Sequence, residues 1–102
     1  MGRRAFCLTI RSGMEEEYDQ RHKNVWPELV NLLKHCGIHN YSIFRHGQSL
    51  FCYMENTNDF DEALIQLNTH PIQQKWYYYM SDVLIRDGDK GMTFLDEVFH
   101  LK

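Results

Sequence analysis

Hydrophobic and polar residues alternate with period two in four segments of the chain, and this pattern predicts four β-strands. The first alternating segment covers residues 3–10. Segments 38–45 and 50–55 flank a turn at residues 46–49 and predict a β-hairpin. The last segment, residues 94–101, predicts a final strand. Four strands of this length are enough to build one sheet.

Two helical segments separate the first strand from the hairpin, and a proline divides them. Residues 14–23 predict a helix with an acidic first turn and with Ser12 as its candidate N-terminal cap. Pro27 lacks an amide proton and disfavours a helical residue before it, so it predicts a break and then opens a second helix. That helix is expected to end at Cys36, because Gly37 readily adopts the left-handed conformation that follows many helices.

A second helical region follows the hairpin and is divided in the same way. Asn58 or Asp59 is the expected cap of its first helix. Pro71 starts the next helix, which is expected to reach about Leu84. Residues 86–91 are rich in charge and glycine and predict a loop before the final strand.

The order of these elements predicts the fold. Strand, broken helix, strand, strand, broken helix, strand is the α+β class with a ferredoxin-like βαββαβ arrangement and an antiparallel sheet. A chain of this length forms one domain, residues 1–102. Both helical regions then lie on one sheet face and leave the other bare. Because that face carries several large side chains, we expect a second copy of the chain to cover it.

Composition changes this picture little but excludes several functional classes. Hydrophobic residues make up 43% and charged residues 25% of the chain, which is typical of a globular domain. The net charge of −3 and the scattered basic residues argue against nucleic-acid binding, and no apolar run is long enough to span a membrane. The chain has an odd number of cysteines, and they lie far apart in sequence: Cys7, Cys36 and Cys52. This pattern favours free thiols in a reducing, cytoplasmic compartment.

Aromatic rings accompany one histidine in two short stretches. Tyr18 and His22 lie four residues apart and therefore one above the other on a helix face. Histidine has the side-chain pKa nearest neutrality, which suits it to acid–base catalysis. Trp76 and Tyr77 supply flat rings of the kind that stack on sugars. The combination indicates a small acid–base site for a carbohydrate-like ligand.

Six segments of the chain resemble the L-rhamnose mutarotase family, in the same order and along nearly the whole sequence. They read RRAF, EEYDQRH, VWPEL, HNYSIF, KWYYYM and DEVF. The resemblance implies a cytoplasmic homodimer, built as a dimeric α/β barrel, that interconverts the α and β anomers of L-rhamnose without a metal or other cofactor. In the family pattern His22 matches the proton donor, and the substrate-contacting positions fall on Tyr18, Tyr41, Trp76 and Tyr77.

One departure from the family pattern leaves the preferred sugar open. Typical members carry two tryptophans where this chain has Trp76 and Tyr77. The added hydroxyl makes L-fucose or another deoxy sugar an alternative to L-rhamnose. His100 either joins the proton relay or lies at an edge, and the Asp-Glu pair at 96–97 is a candidate to orient His22.

Plainer interpretations of the same residues also stand. A histidine at a helix end is often solvated, which is the alternative for His22. Trp76 recurs at helical spacing with other apolar residues and is then part of the core. Tyr18 and Tyr41 are alternatively residues of a subunit interface.

Two other functional classes compete with the enzyme. A sugar-binding module without turnover would use the same rings. A heme-degrading or quinone-handling monooxygenase is the other candidate, because the same dimeric barrel hosts such enzymes, although fold likeness is only an association. His35 and His39 are four residues apart but straddle Gly37, which disfavours a metal site on one helix face.

Overall fold

The computed structural model describes residues 2–86 and 91–102. In chain order its elements are β1 Gly2–Ile10, α1 Glu15–Lys23, α2 Pro27–His35, β2 Ile38–His46, β3 Ser49–Asn56, α3 Phe60–Asn68, α4 Pro71–Tyr79, a 3-10 helix Met80–Asp82, β4 Leu84–Ile85 and β5 Thr93–Leu95. None of the helices in these ranges has the length and apolar character needed to cross a membrane.

The strands form one antiparallel sheet in the order β2-β3-β1-β4, and the short β5 also pairs with β1. β1 and β3 pair along their length, from Gly2 opposite Asn56 to Thr9 opposite Ser49. β2 and β3 form the predicted hairpin, which has an irregularity between His39 and Ser42. This strand order is that of a ferredoxin-like βαββαβ chain, so the predicted fold class is confirmed.

The helices cover one face of the sheet, and the hydrophobic core lies between the helices and the sheet. Antiparallel partners point to the same face, so Phe6 and its partner Cys52 both enter this core. The helices and the segment after α4 complete it. Its buried members are Phe6, Leu8, Ile10, Tyr18, Leu29, Leu32, Cys36, Ile38, Leu50, Cys52, Met54, Phe60, Ala63, Leu67, Met80, Val83 and Leu84.

Most helix boundaries follow the signals in the sequence. Pro27 and Pro71 occupy the first turn of α2 and α4, as predicted. The Asp59 carboxylate caps α3 by accepting from two backbone N–H groups, at 2.8 and 3.2 Å. Gly37 follows α2 with φ +84°, the left-handed conformation expected of it. The predicted Ser12 cap is wrong, because α1 begins three residues later and none of the described side chains caps it.

The C-terminal third differs from the prediction in two places. The helix expected to reach Leu84 ends at Tyr79 and tightens into the 3-10 helix, because the chain turns inward and Leu84 joins β4. The predicted final strand shrinks to β5, and residues 96–102 form no regular element. Of the predicted loop, residues 87–90 lie outside the described part of the chain.

The second sheet face has no helix over it within the described ranges. Phe44, Phe51 and Cys7 form one row across β2, β3 and β1. Phe44 is 65% exposed and Phe51 is 46% exposed. Leu95, on the same face of β5, is also exposed. The chain therefore presents an apolar sheet surface to its surroundings.

Candidate active site

His22 lies in the last turn of α1, just before the break that Pro27 imposes. Its Nδ1 is 3.1 Å from the carbonyl oxygen of Tyr18, one helical turn earlier. A carbonyl oxygen only accepts hydrogen bonds, so Nδ1 carries the proton that is donated to it. In the neutral imidazole Nε2 then holds the free lone pair. The helix backbone thus leaves Nε2 as the atom that can accept a proton from a ligand.

Aromatic rings fix the orientation of this imidazole. The Tyr18 ring stacks on it, with ring centroids 4.0 Å apart and planes inclined by 21°. Trp76, from α4, presents an edge-on contact at 5.6 Å and 82°. Trp26 in turn contacts Trp76 edge-on at 5.0 Å. These contacts position His22 between two ring systems rather than in bulk water, as a solvated helix end would be.

The charge state of His22 follows from its surroundings. Burial lowers its pKa, while the hydrogen bond to the Tyr18 carbonyl and the negative charge of Asp19 act in the opposite direction. Hydrogen bonds from Arg45 to Asp19, at 2.7 and 2.9 Å, lower the pKa of that carboxyl and keep it ionised. At neutral pH the imidazole is therefore mainly uncharged and able to act as a base.

Two phenol groups accompany the histidine. Tyr18 is only 4% exposed, and burial raises the pKa of its hydroxyl. Tyr41 packs its ring edge-on against Phe6 at 6.4 Å, and burial also raises its pKa although the residue is 36% exposed. Neither hydroxyl has a hydrogen-bond partner among the described residues. Both groups are therefore neutral and free to donate to a ligand.

The neighbours Trp76 and Tyr77 point in different directions from α4, as adjacent helical residues must. Trp76 is partly buried and contacts His22. Tyr77 is 50% exposed and lies under the guanidinium of Arg86, whose Cζ is 3.9 Å from its ring centroid. Direct ring contacts thus join Tyr18, His22 and Trp76, whereas Tyr41 contacts Phe6 and Tyr77 contacts Arg86, with no ring contact to His22 among the described residues.

Sequence reasoning missed the residues that tie α1 to the end of α4. Arg21 donates to the Tyr79 carbonyl oxygen at 2.6 Å and to Asp82 at 2.9 and 3.2 Å. Its guanidinium also lies 4.3 Å from the centroid of the Tyr79 ring, which packs against Trp26. An arginine near a helix end gives no sequence signal for such a contact, since its partners lie about sixty residues away.

Two candidates from the C-terminal segment have other neighbours in the structure. Glu97, from the candidate orienting pair at 96–97, forms an ion pair with Arg3, and the carboxylate whose charge acts on His22 is that of Asp19. His100 is exposed and lies near Glu97, whose pKa is lowered mainly by the hydrogen bond from Arg3 and to a smaller extent by His100. Among the described residues no three His, Cys, Asp or Glu side chains are placed to share a metal ion.

Two surface grooves lie outside the aromatic cluster formed by Tyr18, His22, Trp26 and Trp76. The larger, of about 620 Å³, runs between α2 and the α3–α4 connection, and the smaller, of about 510 Å³, lies beside Tyr78 on the outer side of α4. His22 lines neither groove. The aromatic cluster combines a half-buried titratable group with hydrogen-bond donors that have no partner among the described residues. The grooves lack this combination, so we place the candidate site at the cluster.

Comparisons with known proteins find relatives that match this chain along nearly its whole length. The family model for L-rhamnose mutarotase matches residues 3–101. The L-rhamnose mutarotase of Flavobacterium johnsoniae is 41% identical over 97% of this chain and 94% of its own, and that of Opitutus terrae is 41% identical over 99% of each. The crystal structure of L-rhamnose mutarotase from Formosa agariphila has a TM-score of 0.85 and 30% identity over the whole of both chains.

A more distant structure shares only the fold. Tetracenomycin F2 cyclase from Streptomyces glaucescens, a type-II polyketide cyclase, has a TM-score of 0.74. Its identity to this chain is 15%, over 100% of this chain and 98% of the cyclase. At that identity the likeness concerns the arrangement of helices and sheet, not the chemistry of the site.

Proposed function

The chain belongs to the L-rhamnose mutarotase family, and we propose from this premise that it interconverts the α and β anomers of L-rhamnose by proton transfer at His22. One observation supports the role of this residue above the others. Its Nδ1 is hydrogen-bonded to the Tyr18 carbonyl, its ring is held between Tyr18 and Trp76, and its Nε2 has no hydrogen-bond partner among the described residues.

Mutarotation requires only that a proton move between two oxygens of the sugar. Neutral Nε2 of His22 accepts the proton of the anomeric hydroxyl while the bond from C1 to the ring oxygen breaks. The resulting imidazolium delivers that proton to the ring oxygen and leaves the open-chain aldehyde. Rotation about the bond from C1 to C2 exposes the other carbonyl face, and the same steps in reverse close the ring as the other anomer. No proton or electron is gained or lost overall.

The protonation state of His22 suits the first of these steps. Because burial lowers its pKa, the imidazole is ready to accept a proton at neutral pH. The negative charge of Asp19 favours the imidazolium that forms next. A base whose pKa stays near the working pH both takes and returns a proton readily, which a reversible isomerisation needs.

The surrounding aromatic residues would hold the sugar. Tyr18 and Tyr41 are neutral phenols, because burial raises the pKa of each. The hydroxyl group of each can therefore form a hydrogen bond with a hydroxyl of the sugar. Trp76 and Tyr77 offer ring surfaces for the apolar face of a 6-deoxy sugar, whose C6 methyl group favours such a contact. In this arrangement Tyr18, Tyr41, Trp76 and Tyr77 bind the substrate and His22 carries out the chemistry.

Exchange NMR with purified protein tests this function directly. Saturation of one anomeric proton signal of L-rhamnose should transfer to the other anomer at a rate proportional to protein concentration. L-fucose and a hexose that keeps its 6-hydroxyl, measured in parallel, identify the preferred sugar. Exchange no faster than in buffer would reject the enzyme, and saturable binding without faster exchange would identify a binding module instead.

We also propose that the protein is a homodimer whose subunits meet through their open sheet faces. The exposed row of Phe44 and Phe51 supports this, as does Phe99 in the exposed C-terminal segment. Light scattering after size exclusion should give about twice 12.3 kDa. Phe51→Lys should shift the mass towards the monomer, whereas Ile65→Lys, on the exposed surface of α3, should not. A wild-type monomer at micromolar concentration would contradict the proposal.

We also propose that the protein is located in the cytoplasm. Cys7, Cys36 and Cys52 are free thiols in the described structure. Burial raises the pKa of Cys36, and it raises that of Cys52 to about 12, so both thiols are unreactive at neutral pH. Free, buried cysteines suit a reducing compartment. Fractionation of cells from the source organism should recover the protein with the cytoplasmic contents, and recovery with secreted proteins would contradict this.

A further inference from the structure

Arg86 lies at the edge of the candidate site and has no role in the mechanism described above. It follows β4, whose two residues pair with the end of β1. From there its side chain folds back over α4. Its Cζ lies 3.9 Å from the centroid of the Tyr77 ring, and its Nη2 donates to the Tyr77 carbonyl oxygen at 3.3 Å. The guanidinium is thus fixed against a residue proposed to contact the sugar.

Arg86 differs from the other arginines of this chain in how its guanidinium is partnered. Arg3, Arg21 and Arg45 each form an ion pair with a carboxylate, and Arg4 and Arg11 are exposed. Arg86 is half-buried, pairs with no carboxylate among the described residues, and its buried Nε has no hydrogen-bond partner there. A buried donor without a partner costs free energy. Such a group is typical of a site that a ligand completes.

The surroundings of Arg86 connect it with the histidine side of the site. Burial raises the pKa of Tyr18, and the positive charge of Arg86 acts on this hydroxyl in the opposite direction. Arg86 therefore lies close enough to the Tyr18 hydroxyl to influence it, while its guanidinium packs on the Tyr77 ring.

We propose that Arg86 is a substrate-binding residue that determines specificity by donating a hydrogen bond to one hydroxyl group of the aldopyranose, the one on C2, C3 or C4. The proposal rests on the proposed function, since it assigns a further contact to the same site. A guanidinium stays charged and presents its N–H groups in a rigid plane, so it is a fixed donor for one of these hydroxyls. These hydroxyls do not react during mutarotation, so the contact orients the sugar and selects among epimers.

The test combines Arg86→Met with sugars that each lack one hydroxyl. Arg86→Met keeps an unbranched apolar side chain but removes the donors. For L-rhamnose we expect KM to rise about tenfold or more, with kcat changed by less than about threefold. Analogues of L-rhamnose deoxygenated at C2, C3 or C4 then locate the contact. With the analogue that lacks the bonded hydroxyl, wild type and Arg86→Met should have the same KM.

Control variants separate this role from a structural one. Arg11→Met removes an exposed guanidinium that also donates to a backbone carbonyl, that of Ser81, and should leave KM unchanged. If Arg86→Met raises KM equally for all the deoxy analogues, or lowers the urea midpoint enough to account for the loss, the proposal is overturned. An unchanged KM for L-rhamnose also overturns it.

A binding measurement keeps this inference separate from the proposed activity. Titration of L-rhamnose against tryptophan fluorescence reports on the site through Trp76, whether or not the sugar is turned over. If the wild type accelerates no anomer exchange, the proposed function fails. The inference about Arg86 still holds if Arg86→Met weakens binding by about tenfold and one deoxy analogue abolishes the difference. Equal binding by both proteins rejects it.

Discussion

Tyr18→Phe separates the hydroxyl of this residue from its ring. The ring is buried and stacks on the imidazole of His22 at 4.0 Å, and phenylalanine preserves that contact. The hydroxyl has no hydrogen-bond partner among the described residues, and burial keeps it neutral by raising its pKa. If it serves the substrate rather than the fold, its removal should reduce catalysis and leave stability almost unchanged.

The expected magnitudes follow from the worth of one hydrogen bond. Losing a neutral hydrogen bond to the sugar costs about 0.5–1.5 kcal/mol, which is about a 2- to 13-fold fall in kcat/KM. A hydroxyl bonded within the protein would instead leave its buried partner unsatisfied, and unfolding would become easier by about 1–3 kcal/mol. For Tyr18→Phe we expect the free energy of unfolding to stay within about 1 kcal/mol of the wild type.

The assay pairs exchange NMR of L-rhamnose with urea unfolding of the same preparations. Tyr78→Phe is the matched control, because Tyr78 is mostly exposed on α4 and the same atom is removed. It should change neither quantity. An unchanged kcat/KM for Tyr18→Phe would refute the substrate contact. A clear loss of stability with the activity unaltered would show that the hydroxyl belongs to the fold.

Three further predictions test the electrostatics, the helix cap and the core. Because burial lowers the pKa of His22 and its neutral form is the base, kcat/KM should fall with acid at a midpoint below about 6.5. Asp19→Asn removes a charge that raises this pKa, so the midpoint should move lower, and an upward shift would contradict the assignment. Asp59→Ala should destabilise the protein to urea by about 1 kcal/mol, whereas Ser12→Ala should have no effect, and equal effects would reject the cap. Leu50→Ala, at a fully buried position, should cost about 2–5 kcal/mol in the same assay, and a loss below about 1 kcal/mol would show that the core collapses around the gap.

Local signals in the sequence predicted the fold where short-range physics decides it. Pro27 and Pro71 begin helices because their missing N–H groups are not needed there. Gly37 takes a positive φ that most residues avoid. Tyr18 and His22 share a helix face, and the structure stacks their rings as their spacing predicts.

Tertiary contacts decided the features that the sequence did not predict. Asn40 adopts φ 47° within the irregularity of β2, next to Tyr41, and its side chain donates to Glu55 at 2.7 Å. No local pattern specifies that partner fifteen residues away. The final strand was predicted from alternation in residues 94–101, but only Thr93–Leu95 pair with β1. A strand needs a neighbour, and alternation alone does not supply one.

The candidate site likewise contains residues that the sequence predicted and contacts that it did not. The sequence and its family resemblance identified Tyr18, His22 and Trp76, which the structure brings into contact. The bond from His22 Nδ1 to the Tyr18 carbonyl leaves no trace in residue types, since every residue has a carbonyl. No sequence pattern predicted the position of Arg86 either, because only the fold places its guanidinium over Tyr77.

The most direct measurement of the central claim is the anomer exchange rate of His22→Asn with L-rhamnose at saturating concentration. Asparagine keeps a short polar group but has no nitrogen that can accept and return a proton. We predict a fall of about 10²–10⁴-fold in kcat while sugar binding persists, and no change for His35→Asn, an exposed histidine of α2. Exchange by His22→Asn at the wild-type rate would contradict this prediction.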